Sequence, residues 1–196
     1  LLESMIGMLD FQAARFTVAG EVPPQAGNDH PTLGPMGMYA TRDGHMNLAA
    51  PWGRMWSALC EILERPELEN DPRFATANDR ALNRAALNIE IETALAPRTT
   101  EDWVERMNAV GIPSGPVNDL AQTFADPQVK HLGVAAKVTH PGVGEIEIIR
   151  NATHLDGVSD EIRRPSPDPG EHTDEVLSEF GLSSDQVKSL REHEII

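Results

Sequence analysis

Gly111-Ile112-Pro113-Ser114-Gly115-Pro116-Val117-Asn118-Asp119 is the stretch whose reading decides the fold. Two prolines in four residues rule out helix here, because each lacks an N–H and fixes its own φ. Gly111 is placed to end whatever helix precedes it, and Gly115 permits a close backbone approach. The segment therefore reads as a stiff exit from a helix into extended chain. Upstream, Thr99 is a candidate N-cap, and Trp103, Val104 and Met107 recur at helical spacing. Downstream, Asn118 is expected to cap a short helix through Phe124, and Asp126-Pro127 to start another turn.

Working outward, residues 1–18 carry Leu2, Met5, Ile6, Leu9 and Ala13 at three- and four-residue steps, predicting one helix with Gly20 as its stop. Met36–Thr41 and His45–Ala50 read as a β-hairpin around Arg42-Asp43-Gly44, with Asp-Gly suited to a turn at positive φ. Pro51 is expected to open a helix at a tolerated first-turn position, with Trp52, Met55, Trp56, Leu59 and Leu63 as its apolar stripe and Pro66 as its end. A longer helix over roughly 78–95 would bury Leu82, Ala86, Ile89 and Leu95.

From Val134 the period becomes two. Val134, Ala136 and Val138 should face Ile146 and Ile148 across a turn at 140–144, giving a second hairpin. Residues 151–169 read as an extended connector, Thr173 as a helix start, and Ser183 with Gln186 as a capping box for the last helix. Hairpins interspersed with helices, without βαβ crossovers, make the class α+β, or mixed α/β.

Three segments taken in order resemble the C-terminal half of the family III CoA-transferases, the CaiB/BaiF-type enzymes that include formyl-CoA and carnitine CoA-transferases. They are the 111–119 stretch, Asp126-Pro127-Gln128-Val129, and Gly170-Glu171-His172-Thr173-Asp174-Glu175-Val176-Leu177. The resemblance covers nearly the whole chain. It implies a small α+β domain at 28–125 inserted into a Rossmann-like large domain. Residues 1–27 and 126–196 would belong to that large domain, and the assembly would be an intertwined homodimer. A chain that opens at Leu1 and already reads as helix is then expected to be a fragment of a longer protein.

Sixteen basic against thirty-one acidic side chains give a formal charge of −15. Such a balance repels a nucleic-acid backbone and an anionic membrane surface, so neither partner is expected. Cys60 is the sole cysteine, which excludes an internal disulfide and suits a cytoplasmic, reducing compartment. The seven histidines show no metal-ligand spacing, so no metal is expected. No Gly-rich phosphate loop occurs, so no cofactor is expected to be bound; coenzyme A would enter as part of the substrate.

In the family the resemblance points to, a helix-borne carboxylate attacks an acyl-CoA thioester. The matching position here is Glu3, where the family normally has Asp. Its plain reading is a first-turn acid favoured by the helix dipole. The loop 27–35 matches a glycine run that closes over the site in oxalate-type members, so His30, Gly34 and Pro35 are the substrate-binding candidates. A lone loop histidine and two turn residues are the plain alternative. Imidazole can exchange a proton near neutral pH, which makes His30 a candidate for meeting a substrate carboxylate. His172 reads as an anchor of its helix start, and the tryptophans at 52, 56 and 103 as core.

The implied reaction moves CoA from an acyl-CoA to a small carboxylic acid. A catalytically silent interaction module of the same fold is the alternative. An α-methylacyl-CoA racemase would need an acid just after the 45–50 strand, and Ala50-Pro51-Trp52-Gly53-Arg54 offers none.

Overall fold

A computed structural model describes residues 1–159 and 161–196. The chain divides into two compact units, Leu1–Val117 and Asn118–Ile196. Helices and antiparallel strands are interspersed in both, so the fold is α+β.

The first unit opens with α1 (Leu2–Gly7) and α2 (Phe11–Ala19) instead of the single helix expected. Asp10 sits between them at a positive φ of 47°, outside the helical region, which breaks the 3.6-residue register. Neither helix buries a residue, and α2 ends as expected at Gly20. A three-stranded antiparallel sheet follows, in the order β1 (Met36–Ala40), β2 (His45–Ala49), β3 (Ser114–Pro116). The β1–β2 hairpin forms as read, but Gly44 does not take the positive φ that Asp-Gly suggested. Thr41 N–H donates to the Gly44 carbonyl at 2.9 Å instead, and the Asp43 carboxylate accepts from the Thr100 amide at 2.8 Å. The side-chain bridge to the next layer shapes this turn.

Helices α3 (Gly53–Ile62), α4 (Ala77–Leu82), α5 (Arg84–Leu95) and α6 (Thr100–Ala109) complete this unit, with a 3-10 turn at Pro66–Asn70. Pro51 lies before the α3 N-cap, which is Trp52, and Trp52 is exposed. Its place at the cap takes it off the apolar stripe, whereas Trp56, Leu59 and Leu63 are buried as expected. The predicted 78–95 helix is broken at Asn83. The Asn83 side-chain amide donates to the Arg73 and Asp79 carbonyls, a local bond that competes with helix continuation. The break shifts the buried stripe to Leu87, Ile91 and Leu95, leaving Leu82 and Ile89 exposed.

Tyr39, Met46, Leu48, Leu59, Phe74, Leu87, Ile91, Leu95, Trp103 and Met107 form one continuous core between the sheet and α3, α5 and α6. Arg80 is buried within this unit. Its guanidinium donates to the carbonyls of Gly34 (3.0 Å), Phe74 (2.9 Å) and Pro51 (2.8 Å) and lies 4.8 Å from the Trp56 ring centroid. One side chain thus satisfies three carbonyls that helices and sheet leave over.

In the second unit α7 (Leu120–Ala125) is capped by Asp119, not Asn118: the Asp119 carboxylate accepts the Gln122 amide at 2.8 Å in a capping box. Asp126 then caps α8 (Pro127–Leu132). Strands β4 (Ala135–His140) and β5 (Gly144–Ile149) pair with Ala136 opposite Ile148 and Val138 opposite Ile146, the register expected. Residues 151–159 and 161–169 form the extended connector, and Asp160 lies outside the described residues. Helices α9 (Thr173–Glu179) and α10 (Ser184–Glu192) close the chain, the latter with its Ser183–Gln186 capping box.

Candidate functional site

The 111–117 stretch does more than leave a helix. Gly111 adopts φ 80° and ends α6, and the chain then runs antiparallel to β2, with Ser114 opposite Leu48 and Pro116 opposite Met46. The Ala49 amide donates to the Pro113 carbonyl at 3.0 Å. Proline is tolerated here because β3 is an edge strand. This strand, together with β1, β2 and the loop at 27–30, walls a cleft of about 520 Å³. Its polar lining is Asn28, Asp29, His30, Asn47 and Ser114, set among Met36, Leu48, Ala49 and Pro113. A mostly apolar concavity with a few convergent polar groups is what a small-molecule site requires.

Loop and strand meet closely at Gly37. A Cβ there would lie 2.4 Å from Asp29 Oδ1 and 3.1 Å from the Asn28 carbonyl, so only glycine lets the loop rest on β1. The loop is tied down from several sides. His30 N–H donates to the Met36 carbonyl at 2.8 Å. Arg84 of α5 donates to the His30 carbonyl and, at 3.2 Å, to that of Leu33. Asn88, one turn on, donates to the Asp29 carboxylate at 3.3 Å, and Glu92, a turn further, accepts the Ala40 amide at 3.1 Å. Arg84, Asn88 and Glu92 form an i, i+4, i+8 polar stripe on α5 that pins the loop and the edge of β1. The Tyr39 phenol is pushed above its ordinary range, first by burial and next by the Asp29 charge.

Of the residues singled out in the sequence, His30 lines the cleft. Its Nδ1 accepts the amides of Leu33 (3.1 Å) and Thr32 (3.3 Å), and its ring stacks on Phe11 of α2 with centroids 5.4 Å apart and planes 12° apart. Gly34 and Pro35 are buried and are not among the lining residues. Their peptide is cis, the Gly34 carbonyl is held by Arg80, and that of Pro35 accepts the Ala50 amide at 2.9 Å. Glu3 lies exposed in the first turn of α1, apart from the cleft lining. His172 is the N-cap of α9 and lies 3.5 Å from Glu175.

Ser114, Asn47 and Phe11 were not singled out as site residues. The first two come to the cleft through strand pairing, which no local pattern encodes. Cys60 is buried in α3, and its thiol is pushed up to about 12, first by burial and then by Glu69, so it offers no thiolate at neutral pH. Among the described residues no cluster of three potential metal ligands occurs, and no helix is long and apolar enough to cross a membrane.

Comparison with known proteins gives the family of the chain. The family model described as CoA-transferase family III matches residues 1–173. Human succinyl-CoA:glutarate CoA-transferase is 29% identical over 179 residues, covering 91% of this chain and 41% of that protein. Succinyl-CoA:mesaconate CoA-transferase from Haloarcula marismortui is 31% identical over 194 residues, covering 94% and 46%. Among solved structures, a CAIB/BAIF family protein from Brucella suis superimposes with a TM-score of 0.72 at 31% identity, covering 88% of this chain and 44% of that one. The chain thus spans less than half the length of the curated relatives it matches.

Proposed function

The chain belongs to CoA-transferase family III, and on that premise we propose that the protein moves CoA from an acyl-CoA donor to a carboxylic acid, with Glu3 as the covalent carboxylate. The match over residues 1–173 carries this reading. A Glu3 oxygen attacks the thioester carbonyl, the C–S bond breaks, and CoA leaves as thiolate with a mixed anhydride left on the enzyme. The thiolate then attacks the Glu3 carbonyl, releasing the donor acid as carboxylate and leaving a glutamyl thioester. The acceptor carboxylate attacks that thioester and expels the thiolate, which finally takes the acceptor acyl group and frees Glu3. Each step exchanges one anionic leaving group for another, so no net proton is needed. A carboxylate is a weak nucleophile, and positioning with oxyanion stabilisation must supply much of the rate.

The cleft beside His30 supports the acyl or acid moiety in this reading, while the buried Gly34 and Pro35 set the path of the loop that presents it. Succinyl-CoA is the first donor to test, with glutarate and mesaconate as acceptors, because the two quoted relatives are named for those reactions. Coenzyme A enters as substrate and no separate cofactor is required. The wider arrangement we infer is a cytoplasmic homodimer without nucleic-acid or membrane partners. Residues 1–27 and 126–196 would join a large domain completed by sequence outside this chain, with 28–125 as the inserted module.

The test is CoA exchange by the full-length protein, with hydroxylamine trapping and mass spectrometry of the Glu3 peptide. Turnover with a trapped Glu3 is expected. Turnover that survives Glu3→Gln moves the nucleophile elsewhere, and no turnover across the panel favours a catalytically silent module.

A further inference from the structure

Resting on the reading that this cleft takes the reacting acid or acyl group, we propose that His30 serves it as a fixed Nε2–H donor and that Phe11 is the positioning residue that holds the ring. The tautomer follows from the donors around it. Nδ1 accepts two backbone amides, Leu33 at 3.1 Å and Thr32 at 3.3 Å, so in the neutral ring the proton sits on Nε2. The backbone is fixed on both sides: the His30 amide donates to Met36, and its carbonyl accepts from Arg84. The stack on Phe11, nearly parallel at 12°, supplies the remaining constraint on the ring itself. Its own turn and α2 thus hold the imidazole, while α5 holds the backbone of the same residue.

A donor whose direction is set before the substrate arrives suits an oxygen that gains negative charge during acyl transfer, because no reorganisation is needed as the charge develops. A histidine used only to stabilise a turn would need Nδ1 alone. The two roles divide cleanly between substitutions. Asparagine places its side-chain oxygen near the Nδ1 position and can accept the Thr32 and Leu33 amides, but it has nothing at Nε2. Glutamine reaches the Nε2 position with an N–H donor and leaves the turn without its acceptor.

Steady-state CoA transfer by the full-length protein from succinyl-CoA to glutarate or mesaconate separates the two roles. Long-range ¹H–¹⁵N correlation spectra of the histidine ring accompany it. The spectra are expected to show a protonated Nε2 and an unprotonated Nδ1 for His30, and a mixture of tautomers in Phe11→Ala. His30→Gln should keep kcat within about tenfold of the parent, and His30→Asn should lower it by about 10²- to 10³-fold with little change in KM. Phe11→Ala should lower kcat roughly 10- to 100-fold, and Phe11→Tyr should restore it by returning an aromatic face.

An Nδ1–H signature overturns the proposal. So does a His30→Asn enzyme as active as His30→Gln, which would leave a turn residue only. Absence of transfer by the parent protein overturns the reading of the cleft and, with it, the ring's role in the reaction. The spectra still decide, independently, whether Phe11 holds the ring on the Thr32 and Leu33 amides that fix its tautomer.

Discussion

In Leu1–Val117, α3, α5 and α6 pack on a three-stranded sheet and bury Tyr39, Leu59, Phe74, Ile91 and Met107 in one core. In Asn118–Ile196, Val187 is the one buried residue among those described, while Leu120, Leu155 and Phe180 stand exposed. The first unit is held by apolar area removed from water, at about 25 cal/mol per Å². The second is held by local devices: capping boxes at Asp119 and Ser183, the Asp126 cap, a two-stranded ladder, and surface ion pairs such as Arg191–Asp174 and Arg164–Glu175. Each cap contributes on the order of 1 kcal/mol, and exposed ion pairs add little. Substitutions in the first unit should therefore act on a cooperative whole, and those in the second on one element at a time.

Arg80 gives the largest contrast. Arg80→Ala strands three buried carbonyls and should cost about 3–5 kcal/mol, read as a lower urea midpoint at unchanged slope. Lysine should recover little, because a single ammonium cannot span the fork that reaches Gly34, Phe74 and Pro51. Arg191→Ala, which removes an exposed pair with Asp174, should cost less than about 1 kcal/mol. Equal effects of the two alanine variants would end the distinction between the units. Next in size, Ile91→Ala should cost about 2–5 kcal/mol by opening a cavity at a fully buried site. Val176→Ala, on exposed α9, should stay within about 0.5 kcal/mol of the parent. Ser183→Ala should fall between them, at about 1 kcal/mol, and should show as fraying of α10 in amide exchange while the first unit keeps its protection.

The same division governs what could be read from sequence. Local devices were legible: the register of Ala136 with Ile148, the Ser183–Gln186 box, Thr99 as an N-cap and Gly111 as a helix stop all depend on neighbours in the chain. The phase of α5 was not, because Asn83 carries no glycine or proline signal and breaks the helix through bonds to Arg73 and Asp79. Asn118 offers the same capping chemistry as Asp119, so the sequence alone does not separate them and the cap lies one residue beyond the expected position. Within the site, His30 could be named from its loop. What holds it could not: Phe11 lies nineteen positions upstream and Arg84 fifty-four downstream, and only the fold brings them together. The 111–117 stretch read as a connector, and it is a connector that also forms the third strand and one wall of the cleft. Its proline and glycine content predicts conformation, not pairing partners.

The smallest expected effect concerns acid, and it distinguishes the units by the kind of partner a carboxylate has. Asp43 in the first unit is held below its ordinary range chiefly by the Thr100 backbone amide, with the Thr100 hydroxyl adding. Glu175 in the second unit is held low chiefly by the Arg164 guanidinium. For both groups the folded value lies below the unfolded one. The stabilisation is therefore fully present above the unfolded value, taken as 3.8 for Asp43 and 4.5 for Glu175, and is lost as pH falls through the lower folded value. Asp43→Asn and Glu175→Gln should accordingly differ most from the parent near pH 6 and converge with it as the pH approaches 2. Salt separates the two. Raising the ionic strength from 0.1 to 1 M shortens the screening length from about 10 to about 3 Å, which should shrink the Glu175 difference. The Asp43 difference should persist, because its partner is an amide hydrogen bond rather than a mobile charge. Urea denaturation at pH 6 and pH 2.5, at both salt levels, reads all four values; a salt-sensitive Asp43 would show that the turn between β1 and β2 depends on Arg42 more than on Thr100.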